Sequence, residues 1–117
     1  MKRVIGIDPG ASGACVLLEG GQPIEWLRMP TMKEGKTTRV NGAALAEWLR
    51  EAGDVTVAME AVHSLPKQGV ASSFNFGHSV GVVMGTLAAL SLPVMLITPQ
   101  AWKRGQGLIG TDKDAAR

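Results

Sequence analysis

The segment Arg3-Val4-Ile5-Gly6-Ile7-Asp8-Pro9-Gly10 places an aspartate directly after a short apolar run. An apolar run that ends in residues favouring turns predicts a buried β-strand, with Asp8 at its carboxyl end. The ordinary role of an aspartate in this setting would be to form the turn. We favour a functional carboxylate, because the strand before it is apolar and because Gly10 and Gly13 would keep the space beside it open.

Two further apolar runs predict an antiparallel meander together with this first strand. They cover residues 14–18 and 24–29, and Gly20-Gly21 between them has the composition of a hairpin turn. The polar stretch that follows, Thr31 to Arg39, predicts a mobile segment. We therefore expect three antiparallel strands at the start of the domain.

A helix and a fourth strand are predicted next. Asn41 is a candidate N-cap and Gly53 a candidate C-terminal stop. Four residues between them share one apolar helical face: Leu45, Trp48, Leu49 and Ala52. Val55 to Glu60 is rich in β-branched residues and predicts a strand. Because a strand, a crossover helix and a strand usually pair in parallel, this strand is expected to run parallel to the first.

A second helix is predicted to start near Ser72 or Ser73, after a long loop that begins at His63, and to run to about Leu90. Small residues recur at every fourth position along it and share one face: Gly77, Gly81, Gly85 and Ala89. We favour packing of this face against the sheet, because a single domain needs such contacts. A subunit interface is the alternative.

The stretch from Ser79 to Ile97 is apolar throughout and long enough to raise the question of a membrane span. Pro93 divides it into a helix-length piece and a strand-length piece, and both pieces suit a globular core. We therefore predict no membrane span, and a fifth strand from Val94 to Thr98.

Composition indicates one soluble domain that covers residues 1–117, with 45% hydrophobic and 19% charged residues. The net charge of +2 and the pI near 9.0 favour an anionic partner only weakly. The first apolar run ends at Asp8, too early for a signal peptide. The single cysteine, Cys15, cannot form an internal disulfide and is expected to be a buried apolar residue. These features predict a cytoplasmic protein.

Three antiparallel strands followed by helix, strand, helix and strand is the order of a ribonuclease H-like sheet. We therefore predict an α/β fold with a five-stranded mixed sheet, three strands antiparallel and then two parallel, flanked by helices. Asp8 and Glu60 would converge at the carboxyl ends of neighbouring strands, where open α/β sheets bind ligands. An acid at the end of a buried strand is costly unless a cation or hydrogen bonds compensate. Paired carboxylates suit Mg²⁺ or Mn²⁺, and two such ions could cleave a phosphodiester.

The loop after Glu60 mixes a cation, amides, hydroxyls and aromatic rings, which suits contact with phosphates and bases. We expect Phe74 and Phe76 to pack under this loop rather than to stack on bases. His63, at the mouth of the expected site, is either a substrate contact or an exposed polar residue. The basic residues of the later half are either DNA contacts or solvated surface charge: Lys67, Lys103, Arg104 and Lys113.

Taken together, these motifs resemble the RuvC-type Holliday junction resolvases, and most closely their bacteriophage branch. The resemblance spans essentially the whole chain. It is carried by residues 5–10 with Gly13, residues 59–60, residues 63–69, residues 73–77 and residues 98–103. The resemblance implies a ribonuclease H-like homodimer that nicks two strands of a four-way DNA junction symmetrically and depends on Mg²⁺ or Mn²⁺.

The resemblance also implies roles for individual residues. Asp8 and Glu60 match the first two metal-binding carboxylates of the family, and Lys103 and Lys113 match two lysines near the scissile phosphate. His63 falls where some relatives place an aromatic residue that contacts the junction. With Lys67, Gln68 and Arg104, His63 and Lys103 form the expected DNA-contacting set.

The remaining acidic ligands of the family lie on a C-terminal helix. Thr111 to Asp114 has the form of a capping box, at which a helix would begin. Asp112 and Asp114 are placed too early to match those ligands, so we expect the domain to lack its C-terminal helix. Two alternatives follow. The first is a catalytically silent junction-binding relative, and the second, less favoured, is one lobe of an actin-like sugar kinase or ATPase.

Overall fold

The structure is a computed structural model that describes residues 2–61 and 69–98. Its elements follow in chain order: β1 (Arg3–Asp8), β2 (Ala14–Glu19), β3 (Gln22–Arg28), β4 (Thr31–Glu34), β5 (Thr37–Val40), α1 (Gly42–Ala52), β6 (Thr56–Glu60), α2 (Val70–Ala89) and β7 (Val94–Ile97).

Five of the strands form one sheet in the order β3-β2-β1-β6-β7. Strands β1, β2 and β3 are antiparallel, whereas β6 pairs in parallel with both β1 and β7. The predicted five-stranded mixed sheet is therefore confirmed. Strand β1 lies at its centre, so the residues that end β1 are flanked by a strand on each side.

Both helices pack on one face of this sheet. Ile5 and Ile7 of β1 are fully buried, in one cluster with Leu49 of α1 and Leu87 of α2. Because side chains alternate along a strand, those of Val4 and Asp8 point to the other face. At about 25 cal/mol per Å² of apolar surface buried, this cluster is the main source of stability.

Helix α1 begins and ends where the sequence predicts. The side chain of Asn41 accepts a hydrogen bond from the Ala44 N–H at 3.1 Å, and Gly53 takes a φ of 81° at the C-cap. The two helices approach each other closely at Gly42. A Cβ there would lie 3.1 Å from Val82 Cγ1 and 3.2 Å from Thr86 Oγ1.

The stretch from Thr31 to Arg39, predicted to be a mobile segment, is instead most of a β-hairpin. Strands β4 and β5 pair from Thr31–Val40 to Glu34–Thr37, and Gly35 takes a φ of 62° at the first turn position. The prediction was wrong because the hairpin shows little apolar alternation. It packs on the domain through Val40, which belongs to the core cluster, and through Arg39, whose side chain lies against α2.

Helix α2 differs from its prediction in two respects. It begins at Val70, so the aromatic residues expected under a loop lie on a helix, and Phe74 is 62% exposed. The predicted packing of its small residues against the sheet is also wrong. In the described part of the chain no atom lies within 4 Å of a Cβ placed on Gly77, Gly81 or Gly85. The sheet is covered instead by the opposite face, with Ser79, Val83 and Leu87.

The apolar stretch that includes Pro93 divides into α2 and β7, as predicted. Among residues 2–61 and 69–98, no helix is both long enough and apolar enough to cross a membrane.

Candidate functional site

A row of residues crosses the sheet at the end of β1. The strand register pairs Asp8 with Ala14, and Ala14 with Arg28 on β3. On the other side Ile7 pairs with Met59, so the next step places Asp8 beside Glu60. Neighbouring strands lie about 4.8 Å apart, so the two carboxylates are within reach of one ion.

The carboxylate pair lies on the sheet face opposite to the helices. The neighbours of the pair in the chain, Ile7 and Met59, are buried in the core, whereas Asp8 and Glu60 are half-buried. The prediction depends on β1 and β6 being neighbouring parallel strands, and the register confirms that they are. Their role as metal ligands stays a prediction.

Gly13 controls the backbone at Asp8. Its N–H donates to the Gly10 carbonyl at 2.9 Å, which closes the turn after β1. A Cβ on Gly13 would collide with the Asp8 carbonyl oxygen and lie 2.9 Å from the Asp8 carbonyl carbon. At Gly10 a Cβ would meet the Phe76 ring at 3.8 Å and the Ser12 backbone nitrogen at 4.0 Å, both ordinary contact distances. Gly13 therefore allows the backbone of the turn to pass close to the Asp8 carbonyl group. The sequence had predicted only that this glycine keeps space open beside the carboxylate.

Cys15 lies next to this row but on the buried side of the sheet. Burial, with a smaller contribution from the negative charge of Asp8, raises the pKa of the Cys15 thiol to about 12. The thiol is therefore neutral at physiological pH and unsuited to bind a metal as thiolate. The prediction of a buried apolar cysteine is confirmed.

The donor set of the row fits a hard divalent cation. Carboxylate oxygens are the ligands that Mg²⁺ and Mn²⁺ prefer, and Mg²⁺ is commonly held by one or two carboxylates with water and substrate phosphates. Within the described ranges, no group of three or more His, Cys, Asp or Glu side chains could hold a metal. Asp8 and Glu60 are thus a pair of carboxylates, which is a smaller group than three.

Arg28 also belongs to this row, and it was not among the site residues predicted from the sequence. It is exposed and lies two strands from Asp8, about 10 Å away, in register with it. The signal that could have found it is its position at the end of a strand beside Ala14.

The other predicted site residues lie outside the described residues: His63, Lys67, Gln68, Lys103, Arg104 and Lys113. Their assigned roles stay predictions.

Comparison with solved structures identifies a similar fold. RuvC of T. thermophilus in complex with a Holliday junction substrate matches with a TM-score of 0.63 and 18% identity, over 84% of this chain and 66% of that one. A second structure of Thermus thermophilus RuvC matches with a TM-score of 0.50 and 18% identity, over 83% and 64%. The chain thus spans slightly less than two thirds of the RuvC chains.

At the level of sequence, no family model and no curated protein matches the chain. At 18% identity the structural likeness concerns the fold. The chain therefore has the mixed α/β fold of the RuvC structures. The two acids lie where the central strands β1 and β6 end.

Proposed function

We propose that this chain is the nuclease domain of a metal-dependent endonuclease that resolves four-way DNA junctions by paired symmetric nicks. The observation that carries the proposal is the placement of Asp8 and Glu60 side by side at the carboxyl ends of two parallel strands. Support comes from the fold, which is similar to that of RuvC in complex with a Holliday junction substrate.

In this mechanism Asp8 would be a ligand of both of two divalent ions, and Glu60 would be a ligand of one of them. Bound there, Mg²⁺ or Mn²⁺ would activate water and neutralise charge on the phosphodiester. The buried β1 and the tight turn at Gly13 hold the Asp8 carboxylate in place, so little reorganisation is needed when the phosphate arrives. Lys113 would neutralise charge at the scissile phosphate, and further acidic ligands would complete the set.

The proposed DNA contacts combine the predicted loop residues with one residue from the sheet. The loop residues are His63, Lys67, Gln68, Lys103 and Arg104. Arg28 adds a guanidinium at the end of the row that contains Asp8, where it can bind a phosphate next to the one that is cut. The bacteriophage branch and a cytoplasmic location belong to the same proposal.

A cleavage assay tests this function directly. We expect the chain, with Mg²⁺ or Mn²⁺, to nick a synthetic four-way junction on two opposed strands and to leave a linear duplex of the same sequence intact. EDTA should stop cleavage, and Ca²⁺ should support binding with little cleavage. Equal cleavage of duplex and junction would contradict the proposed specificity.

A catalytically silent junction-binding protein is the second candidate. It has the same support from the fold and from the two acids at the ends of β1 and β6. Under this alternative the chain would bind the junction in the same assay and leave both strands intact with every metal tested.

We also propose that the protein is a homodimer that associates through the exposed face of α2. This face is apolar along its whole length and consists of Val70, Phe74, Gly77, Gly81, Met84, Gly85 and Ala88. Val70 is 89% exposed and Met84 is 41% exposed. An exposed apolar surface of this extent is typical of a protein interface, and the glycines allow a second helix to approach closely.

Replacement of Gly81 by glutamate should convert the dimer into a monomer, because it puts a charge at the centre of this face. The helix itself should tolerate the change, since glutamate has a higher helix propensity than glycine by roughly 0.5–1 kcal/mol. Size-exclusion chromatography with light scattering measures the mass. Ala43→Glu, at an exposed position of α1, is the matched control and should remain dimeric. A dimeric Gly81→Glu variant would contradict this interface.

A further inference from the structure

The β4–β5 hairpin leaves the sheet at the edge where Asp8 lies. The Met29 N–H donates to the Gly13 carbonyl at 2.9 Å, and the Asn41 N–H donates to the Pro30 carbonyl at 2.8 Å. These two bonds tie the base of the hairpin to the turn that follows Asp8. The hairpin is therefore held beside the candidate metal site.

One side of the hairpin faces α2, and the positive charge of Arg39 on that side is paired with an acid. Arg39 is 8% exposed, and its Nη1 donates to Asn75 Oδ1 at 2.7 Å. Its guanidinium carbon lies 5.5 Å from the centre of the Phe74 ring, a cation–π distance. The Glu34 carboxylate lies 3.5 Å from Arg39 Nε. The single acid of the hairpin is thus paired with the buried arginine.

The other side of the hairpin is buried in the core at its base, through Val40, and is cationic and polar toward its tip. The register places Lys33 opposite Thr38, and both side chains are exposed. Lys33 Nζ donates to Thr38 Oγ1 at 2.8 Å, which holds the ammonium group against the hairpin and leaves two of its three protons for a ligand. Lys36 is exposed at the turn. Arg28, three residues before β4, adds a positive charge in the row that contains Asp8.

We propose that this outward side of the hairpin binds the phosphate backbone of the DNA arm next to the cut, with Lys33 and Lys36 as the phosphate contacts. The inference rests on the proposed nuclease function and adds to it a binding surface outside the metal site. Lysine and threonine side chains are common phosphate contacts, and they carry no sequence information. The hairpin therefore positions the arm, whatever its base sequence.

The reach of the hairpin agrees with this role. Four residues of extended strand span about 13 Å. Phosphates along one strand of a duplex follow one another at about 3.4 Å of helix axis. Lys36 at the tip would therefore meet the backbone roughly four nucleotides from the hairpin base, on the flank of the junction.

The test is the salt dependence of junction binding by the 117-residue chain, measured in EDTA so that no strand is cut. Each phosphate contact contributes about 0.9 to the slope of log K against log salt. We expect the double variant Lys33→Ala with Lys36→Ala to weaken the salt dependence, so that the slope is less negative by about 1.8. Lys33→Arg with Lys36→Arg should keep the wild-type slope, because it keeps both charges.

The matched control removes two cations from the opposite edge of the sheet. Lys2 precedes β1 and Arg50 lies in the last turn of α1, and both are exposed. Lys2→Ala with Arg50→Ala should leave the slope unchanged. If the hairpin variant keeps the wild-type slope, or if the control loses as much as the hairpin variant, the inference is wrong while the proposed function stands. If the wild-type chain does not bind the junction, both fail.

Discussion

Replacement of Asp8 by asparagine is expected to abolish junction cleavage while junction binding stays at or above the wild-type level. Asp8 lies at the centre of the row and is the ligand proposed to hold both ions. Asparagine keeps the shape of the side chain and removes the charge that attracts a divalent cation. Metal ions contribute several kcal/mol of transition-state stabilisation, and each 1.36 kcal/mol is tenfold in rate, so we expect a loss of about a thousandfold or more.

Binding should survive because the variant removes a negative charge from the place where the phosphate docks. Single-turnover cleavage and a gel-shift assay in EDTA measure the two properties separately. Asp54→Asn is the matched control, because Asp54 is an exposed carboxylate just before β6, at the opposite edge of the sheet. Cleavage by Asp8→Asn at the rate of Asp54→Asn would remove Asp8 from the metal site.

The second large effect is expected from Gly13→Ala. A Cβ at this position collides with the carbonyl of Asp8, which is backbone and cannot rotate away. The turn must therefore shift, at a cost of about 3 kcal/mol, near the upper end of what overpacking in a core costs. For a domain of this size we expect the melting temperature to fall by about 10 °C. We also expect cleavage to fall with it, since the shift moves the Asp8 carboxylate.

Gly10→Ala is the control for this prediction. It adds the same methyl group to the same turn, but the group meets the Phe76 ring at an ordinary contact distance of 3.8 Å. Its melting temperature and cleavage rate should stay near those of the wild type. Thermal denaturation followed by circular dichroism measures the difference. Equal stability of the two variants would show that the turn does not depend on Gly13 in this way.

The five-stranded sheet and the position of the carboxylate pair could be predicted from local patterns. The residues before Asp8 and before Glu60 are mostly apolar, and this pattern predicted the two strands, whose apolar side chains are buried in the core. Helix α1 has a cap at each end and an apolar face between them, so its bounds could be predicted as well. In these segments the local pattern and the tertiary packing favour the same structure.

The β4–β5 hairpin could not be predicted in the same way. Its strands carry threonine and lysine where a half-buried strand would alternate apolar residues, and it is fixed by a buried arginine that reaches another element. Gly35 could have indicated the hairpin, because glycine suits the first position of a tight turn between two strands.

The face of α2 that lies against the sheet also depended on tertiary packing. The helix is apolar nearly all round, so its sequence does not show which side is buried. The larger residues Val83 and Leu87 fill the space above Ile5 and Ile7. The glycine face is left exposed, since small side chains bury less apolar surface.

The prediction that Asp8 and Glu60 hold a divalent cation came from the residue types at the strand ends, which are a local property. Whether these acids meet, and what surrounds them, depends on pairing between segments far apart in the chain. The register that aligns Arg28 with Asp8, the docking of the hairpin and the exposed face of α2 all result from it. Such pairings follow from the packing free energy of the whole domain, which no single segment of the sequence contains.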